Sequence, residues 1–304
     1  MAASYCYLQG KIVPLAEAKI SVMTHALHYG TALFEGIRGN WNADKKQLFI
    51  FRLRDHHERM LAGQRILKME QILSADDMIK ITLDVVRKCD FKEDIYIRPL
   101  AYKSTEALGV RLHDLKNDFL LFALPWGRYL DTDACRCCVS SWRRPDDNVI
   151  PAGVKSTGIY INNAFTKTEA IENGYDEGIM LTPDGHVAEG SGENLFLVKD
   201  GKIITPAVYS NILKGITRDT VMTLAKNELG LSVEERFIDR TELYTADECF
   251  LTGTAAHLTP VCEIDKRAVG VGGIGPVTAR LKALYFDVIK GNNAKYKDWC
   301  TPVY

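Results

Sequence analysis

The first 126 residues contain short segments in which apolar and polar positions alternate with the two-residue period of β-strands. We predict strands over four such segments, at residues 5–13, 48–53, 95–100 and 119–124. After the second segment the apolar positions recur at helical spacing, which predicts helices over Asp55–Met69 and Ile72–Cys89. Ser74 and Asp77 form a variant of the capping box, so the second helix is predicted to open at Ser74.

A polar, glycine-containing stretch interrupts this pattern at residues 127–136, and strand-like alternation resumes at Cys138. We therefore predict a small N-terminal α/β domain at 1–126, an interdomain linker at 127–136 and a large C-terminal domain at 137–304. The mixture of helices and strands places the fold in the α/β class, of a mixed α+β kind.

The C-terminal domain is predicted to begin with a helix over Gly158–Glu172 that Thr157 caps and the turn signal at 173–174 ends. A strand over Glu177–Leu181 follows it. Further elements are predicted along the rest of the domain: hairpin-like strands within 185–198, and helices over Arg218–Leu229 and Val277–Lys290.

Composition then narrows the classes of function. Of the 304 residues, 46% are hydrophobic and 25% are charged, and a net charge of -1 gives no field that would favour nucleic acid or an anionic membrane. The N-terminus lacks the features of a signal peptide and the apolar run Phe119–Trp126 is too short to span a bilayer, so we expect a cytoplasmic protein. Small-molecule chemistry is the favoured class.

Cysteines and histidines give no clear metal site. Eight cysteines are too few for a disulfide scaffold in a chain of this length, so we read them as mostly buried thiols. Cys135, Cys137 and Cys138 could bind a metal, but no second Cys/His pair follows them at zinc spacing. The sequence assigns them no redox role. Four histidines also lack metal spacing and are read as surface or core residues: His25, His28, His56 and His57.

Lys155 follows a glycine- and proline-containing turn and directly precedes a predicted helix. A lysine amine becomes a nucleophile when a pocket removes its water or places cationic groups near it, and a carbonyl cofactor such as pyridoxal phosphate uses an amine of this kind. The alternative is an ordinary solvated lysine in a loop.

Two segments have the features of anion sites. Gly215 precedes a helix, and because amides at a helix N-terminus point at whatever lies there, Ile216 and Thr217 could hold a phosphate. The alternative is that Thr217 only caps the helix. The second segment is the small-residue turn at 252–256, which contains Thr254 and Ala255 and which could equally be an ordinary turn.

Glu189 lies in a glycine-rich bend between predicted strands, where a backbone can approach a ligand closely. A carboxylate beside a pyridine nitrogen raises the pKa of that nitrogen and keeps the ring able to accept electrons. Such bends are also often just solvated turns. The segment 270–275 fits the dinucleotide-binding glycine pattern literally, but no second parallel strand can be found after it, so we read it as a turn before the last helix.

The segment 27–38 is dense in aromatic, glycine and ionic residues and is interpreted as part of a pocket wall. Alternation places Tyr96 and Arg98 on one face of a strand, and Pro99 argues that this is an edge strand or a strand end.

Taken together, these segments resemble the fold-type IV pyridoxal-phosphate enzymes, and among them the branched-chain amino-acid aminotransferases. The resemblance covers nearly the whole chain. It rests on the segments 28–38, 55–59, 96–99, 125–127, 155–160, 189–196, 215–219 and 253–256.

The resemblance implies roles around a bound pyridoxal 5′-phosphate. Lys155 would link to the cofactor and then move the proton between the substrate α-carbon and the cofactor. Glu189 would pair with the pyridine nitrogen and Tyr160 with the ring hydroxyl. The remaining residues would hold the phosphate: Arg59, the amides of Ile216 and Thr217, and Thr254.

The resemblance also implies a substrate pocket for branched-chain L-amino acids and for glutamate. The amides of Thr254 and Ala255, with Tyr96, would receive the α-carboxylate, and Arg98 at the rim would meet the second carboxylate of glutamate. Further pocket residues are expected along the N-terminal segments and the linker: Tyr29, Phe34, Gly36, Arg38, Trp126 and Tyr129. A ping-pong transaminase acting on leucine, isoleucine or valine and 2-oxoglutarate, assembled as a homodimer or larger homo-oligomer, is the function implied.

Three alternatives remain at this point. Arg111 and His113 form an Arg-x-His pair of the kind that D-amino-acid aminotransferases of the same fold use for the carboxylate, although a solvent-facing loop pair is favoured. An aminodeoxychorismate lyase would share the cofactor residues. A cofactor-binding regulator would keep Lys155 without turnover.

Overall fold

The structure is a computed structural model that describes residues 4–127 and 133–304. The described residues cluster into two compact units. Residues up to 127 form the first unit together with 154–158 and 287–304. The second unit comprises the described residues of 128–153 and 159–286.

Seventeen strands are assigned within the described residues. In chain order they are β1 Tyr5–Leu8, β2 Lys11–Pro14, β3 Ala32–Phe34, β4 Ile37–Asn42, β5 Gln47–Phe51, β6 Ile95–Lys103, β7 Asn117–Pro125, β8 Cys135–Arg143, β9 Glu177–Leu181, β10 Val187–Gly190, β11 Asn194–Lys199, β12 Lys202–Pro206, β13 Val233–Arg236, β14 Glu248–Gly253, β15 His257–Ile264, β16 Arg267–Ala268 and β17 Cys300–Pro302.

Six α-helices accompany them in the same residues: α1 His25–Tyr29, α2 Leu53–Ile66, α3 Ala75–Cys89, α4 Tyr160–Glu172, α5 Ile216–Leu229 and α6 Pro276–Ile289. Short 3-10 helices lie at Leu15–Glu17, Arg240–Tyr244 and Ala294–Trp299. Ser74 caps α3 and forms the predicted capping box with Asp77.

The first unit contains an antiparallel sheet in the order β17-β5-β4-β6-β7-β1-β2, and β3 pairs with the far half of β6. Helices α2 and α3 bury Met60, Met78 and Val85 in the same core as Ile37 and Ile97 of the sheet. This packing removes apolar surface from water, which is the main favourable term in folding.

The second unit contains a mixed sheet in the order β10-β9-β8-β15-β14-β11-β12-β13. Strand β8 runs parallel to both β9 and β15, while β11 runs antiparallel to β14. Ile179, Leu195 and Val261 are fully or almost fully buried in its core. The prediction of an α/β fold of mixed kind is confirmed.

The prediction of one strand over residues 5–13 is wrong, because the segment is the hairpin β1–β2. Gln9 and Gly10 turn the chain with φ of +50° and +78°. Two consecutive residues with positive φ are typical of a type I′ turn, whose twist suits an antiparallel hairpin.

The prediction that Pro99 marks a strand end or an edge strand is also wrong. Strand β6 continues to Lys103 and has neighbours on both sides. Pro99 lies where the partner of β6 changes from β4 to β3, opposite Glu35, whose amide donates to the Pro99 carbonyl. Because proline lacks an amide N–H, it is tolerated at this interruption of the ladder.

Thr157 does not cap the following helix. Helix α4 begins at Tyr160, and the Thr157 hydroxyl donates to the carbonyl of Gly30 instead. The predicted end of this helix at 173–174 is confirmed, with Gly174 at a φ of +79°.

The predicted division into 1–126, 127–136 and 137–304 stays a prediction, but the compact units differ from it. Lys155 belongs to the first unit by its contacts, as does the C-terminal segment 287–304. Strand β8 begins at Cys135, within the predicted linker. In the part of the chain that the structure describes, no helix has the length and hydropathy to cross a membrane.

Candidate active site

The Lys155 segment is fixed to strand β3. The Phe34 amide donates to the Lys155 carbonyl at 3.0 Å, and the Thr157 amide donates to the Ala32 carbonyl at 2.8 Å. The lysine side chain is half-buried, with its Nζ 5.3 Å from the centroid of the Phe34 ring. The Lys155 backbone is therefore fixed, and its side chain is only partly exposed to water.

Four of the predicted substrate residues lie together in the first unit. The Arg98 guanidinium lies 4.3 Å from the Phe34 ring centroid and donates to the Tyr96 hydroxyl at 3.0 Å. The Tyr96 and Trp126 rings lie 5.4 Å apart. A cation among aromatic rings can meet both an anionic group and an aliphatic chain.

Gly36 and Arg38 extend this group. A Cβ atom at Gly36 would lie 2.2 Å from the Tyr96 hydroxyl oxygen, so the tyrosine occupies space that only glycine leaves open. Arg38 is 4% exposed and donates to the Gly127 carbonyl. Arg38 therefore supports the backbone next to Trp126.

Tyr29 contacts a different part of the first unit from Phe34 and Arg98. Its hydroxyl accepts from the Gly109 amide at 3.0 Å, and its ring lies 4.6 Å from that of His25. In the same loop as Gly109, His113 is exposed and Arg111 is half-buried. The predicted Tyr129 lies outside the described residues.

Arg59 belongs to a buried ionic cluster with Glu35 and His56. Its Nε and Nη2 donate to the two oxygens of Glu35 at 2.7 and 2.6 Å, and His56 Nδ1 donates to the same carboxylate at 2.8 Å. Burial opposes ionisation of Glu35, but Arg59 and His56 outweigh it and hold the pKa of this carboxyl well below its usual value. Burial also holds the pKa of His56 below its usual value. Arg59 is thus held rigidly by an ionised partner.

Glu189 is buried on β10 of the second unit, forms an ion pair with one arginine and accepts hydrogen bonds from two further residues. Arg144 Nη2 lies 3.1 Å from Oε1, while Asn194 Nδ2 and the Leu213 amide donate to Oε2 at 3.0 and 3.1 Å. This is a fixed, charge-compensated carboxylate and not a solvated turn residue.

The N-terminus of α5 lies beside this carboxylate. Its N-cap is Gly215, which has no side chain with which to cap the helix amides, so the alternative that Thr217 is the cap is wrong. A Cβ at Gly215 would lie 2.0 Å from Asn194 Oδ1, the residue that also holds Glu189. The amides of Ile216 and Thr217 are among the first four of the helix, which have no partner within it.

The remaining predicted residues of the second unit lie at a turn and at a helix start. Thr254 and Ala255 are half-buried in the turn between β14 and β15. Within residues 4–127 and 133–304, the buried Thr252 hydroxyl just before this turn has no hydrogen-bond partner. Tyr160 is half-buried at the first position of α4.

Taken separately, each unit holds groups suited to one part of a phosphorylated pyridine aldehyde. Glu189 is suited to a protonated ring nitrogen, and the α5 N-terminus, left open by Gly215, is suited to an anion. Lys155 supplies an amine on a fixed backbone. In the described part of the chain, no group of three or more His, Cys, Asp or Glu residues could hold a metal ion.

Sequence reasoning misses Arg144, Glu35 and His56. Arg144 lies just after β8, and nothing in its neighbours in sequence relates it to Glu189. Glu35 lies inside the segment interpreted as a pocket wall, so its place in a functional segment is a usable signal. His56 is predicted only as a surface or core histidine, and burial confirms the core half of that interpretation.

Comparison with known proteins adds independent information. A family model described as amino-transferase class IV matches residues 32–264. The chain is 52% identical over 301 residues to a probable branched-chain-amino-acid aminotransferase of Aquifex aeolicus (strain VF5), covering 99% of this chain and 97% of that protein. It is 40% identical over 306 residues to the branched-chain-amino-acid aminotransferase of Escherichia coli (strain K12), covering 99% and 98%.

Solved structures are similar over the same extent. A branched-chain aminotransferase from Thermoproteus uzoniensis with norvaline gives a TM-score of 0.95 at 42% identity, covering 99% of this chain and 100% of that one. The branched-chain amino acid aminotransferase from Thermobaculum terrenum in its PLP-form, the holo-form, gives 0.95 at 39% identity, covering 100% of both chains.

Proposed function

The chain belongs to the class IV aminotransferases, and we propose that Lys155, Tyr160 and Glu189 carry out its catalysis. The predicted family and fold type are confirmed by the similarities above. The protein is a pyridoxal-phosphate-dependent transaminase that moves the amino group between L-leucine, L-isoleucine or L-valine and 2-oxoglutarate. The observation that best supports the residue roles is the buried Glu189 carboxylate beside the α5 N-terminus.

Pyridoxal phosphate, when bound, supplies an aldehyde and a ring that accepts electrons as the substrate α-carbon loses its proton. Lys155 Nζ would hold the cofactor through its aldehyde carbon and would carry the proton that leaves the substrate α-carbon. Glu189 would accept from the ring nitrogen, and Tyr160 would pair with the ring hydroxyl. Four groups would bind the phosphate: Arg59, the amides of Ile216 and Thr217, and Thr254.

Arg98 and the aromatic residues around it distinguish aliphatic from acidic substrate side chains. The apolar faces of Phe34, Tyr96 and Trp126 pack against a branched aliphatic chain, while Arg98 meets the second carboxylate of glutamate. Tyr96, Thr254 and Ala255 orient the α-carboxylate that every substrate shares. We also propose that four further residues line the substrate pocket: Tyr29, Gly36, Arg38 and Tyr129.

Covalent trapping tests the role of Lys155. Borohydride makes the link between a lysine and the cofactor stable, so digestion and mass spectrometry should find the added mass on the peptide containing Lys155. The Lys155→Ala variant should carry no label and lose turnover, while Lys116→Ala, which removes an exposed lysine, should behave as the wild type. Label on another lysine, or normal turnover by Lys155→Ala, would contradict the assignment.

We also propose that the protein assembles as a homo-oligomer. Ile161, Trp142 and Phe165 of the second unit are each more than 40% exposed, and the Trp142 and Phe165 rings stack at 4.3 Å. An apolar patch of this kind supports a homo-oligomer, which light scattering would detect as a mass above that of one chain. A cytoplasmic location is the one we propose.

A further inference from the structure

Arg144 is buried next to Glu189, and none of the proposed contacts with cofactor or substrate involves it. Its guanidinium is 3% exposed and its Nη2 lies 3.1 Å from Glu189 Oε1. Nε donates to the Asn211 carbonyl at 3.1 Å and Nη1 to Asn163 Oδ1 at 3.3 Å. Three contacts from three different segments hold this cation in one orientation.

We propose that Arg144 is a positioning residue that keeps the proton on the cofactor's ring nitrogen by keeping Glu189 ionised. The proposal rests on the proposed role of Glu189. Arg144 acts through Glu189 and does not itself touch the cofactor.

One proton has two possible places between Glu189 and the cofactor ring. The proton can lie on the ring nitrogen, opposite a charged Glu189, or on a Glu189 oxygen, opposite a neutral ring. A cation next to the carboxylate stabilises the charged form of Glu189 and so favours the first arrangement. Arg144 also repels a protonated ring, but Glu189 is its direct contact, so the net effect favours the protonated ring.

The surroundings strengthen this effect. Glu189 and Arg144 are both buried, with side-chain exposures of 7% and 3%, so water screens their interaction less than it would at the surface. Asn194 and Leu213 hold the other oxygen of Glu189 with neutral donors, which orient the carboxylate but carry no net charge. Among these three partners, Arg144 alone supplies a full positive charge.

The test uses the holoenzyme reconstituted with pyridoxal phosphate labelled with ¹⁵N in the ring. The nitrogen chemical shift reports directly whether the ring is protonated, independently of turnover. We expect a protonated nitrogen in the wild type and a shift towards the neutral form in Arg144→Gln. A nitrogen that stays protonated in Arg144→Gln would overturn the proposal.

The chemical step provides a second readout. A change of one unit in the pKa of the ring nitrogen changes the ratio of protonated to neutral ring about tenfold. We therefore expect loss of the α-proton of L-leucine to slow by roughly 10- to 100-fold in Arg144→Gln. Because that step then limits turnover more strongly, the isotope effect with α-deuterated leucine should rise. A lower rate with an unchanged isotope effect would show a merely structural role.

Two further variants separate charge from packing. Arg144→Lys keeps a positive charge without the planar fork and should keep the nitrogen largely protonated, even if Arg144→Gln does not fold. A neutral ring in Arg144→Lys would overturn the proposal. Arg236→Gln removes a different ion pair of the second unit, with Glu242, and should match the wild type.

The outcome for the wild type distinguishes this proposal from the one on which it rests. An unprotonated ring in the wild type would remove the assigned role of Glu189 itself. A protonated ring in both the wild type and Arg144→Gln would leave that role intact and remove only the role of Arg144.

Discussion

A carboxylate that is almost completely buried needs a cation beside it to remain charged, and Glu35 has Arg59. The two side chains meet through two parallel hydrogen bonds, which fix the plane of the guanidinium as well as its distance. Glu35 is therefore expected to hold Arg59 in the orientation that its proposed contact with the cofactor phosphate requires.

Glu35→Gln tests this expectation. The amide cannot accept two charged hydrogen bonds, so Arg59 should lose its fixed orientation and the affinity of the apoprotein for pyridoxal phosphate should fall by about tenfold or more. Titration followed by absorbance measures the dissociation constant. Affinity for pyridoxal, which lacks the phosphate, should change much less.

Glu58→Gln is the matched control, because Glu58 is exposed and directly precedes Arg59 on the same helix. It should bind both ligands as the wild type does. If Glu35→Gln weakens pyridoxal and pyridoxal phosphate equally, the cluster supports the fold and not the phosphate contact.

Single residues are predictable where a motif surrounds them. Lys155, Glu189 and Gly215 lie in runs of glycine and small polar residues that are unusual for structural segments. Arg144 and Glu35 contact partners 45 and 24 positions away, Glu189 and Arg59. Local sequence carries no record of such partners, so these residues become visible only in the structure.

At the scale of elements, α2 and α3 are joined by a buried histidine. The Thr82 hydroxyl donates to the Met78 carbonyl, so its oxygen accepts from His57 Nε2, 3.0 Å away. His57 Nδ1 is buried and has no partner among the described residues. Protonating this atom would create a buried donor with nothing to accept from it.

This contact makes the pairing of α2 with α3 sensitive to acid. Burial lowers the pKa of His57 to about 3, whereas an unfolded histidine has a pKa of about 6.5. The unfolded chain therefore binds the proton first as the pH falls. The contribution of neutral His57 to the free energy of unfolding is present above about pH 6.5 and is lost as the pH drops towards 3. Between pH 7 and pH 5 the expected loss is up to about 2 kcal/mol.

His57→Gln keeps a donor towards Thr82 but cannot titrate. Urea unfolding at pH 7 and pH 5 should show a smaller loss of stability in this variant than in the wild type. Carboxylates such as Glu35 also titrate, but equally in both proteins. His28→Gln, at an exposed histidine of the same unit, should lose as much stability as the wild type. An equal loss in His57→Gln would contradict the account.

Elements are predicted well where periodicity and caps agree. Helix α3 opens at Ser74 as its capping box indicates, and strand β9 has the predicted bounds Glu177–Leu181. The failures have a tertiary cause. Thr157 has the side chain of a cap, but its hydroxyl is directed at the carbonyls of Gly30 and Ala32. Pro99 is accommodated where the partner of β6 changes from β4 to β3.

At the scale of the whole molecule, the two compact units are built from segments that are distant in sequence. The first unit includes β17, which pairs with β5 in the register Cys300↔Phe51, and the Lys155 segment, which pairs with β3. Periodicity and composition describe only residues that are neighbours in sequence, so they could not predict that these two segments return to the first unit.

The central claim is that this chain carries out a branched-chain L-amino-acid half-reaction at Lys155. The most direct measurement is the visible absorbance of the holoenzyme before and after L-leucine is added, with D-alanine in a parallel sample. We expect that L-leucine converts the absorbance band of the lysine-bound cofactor to that of the pyridoxamine form and that D-alanine leaves it unchanged. Conversion by D-alanine alone would make Arg111 and His113 the carboxylate ligands, and no conversion by either would contradict the claim.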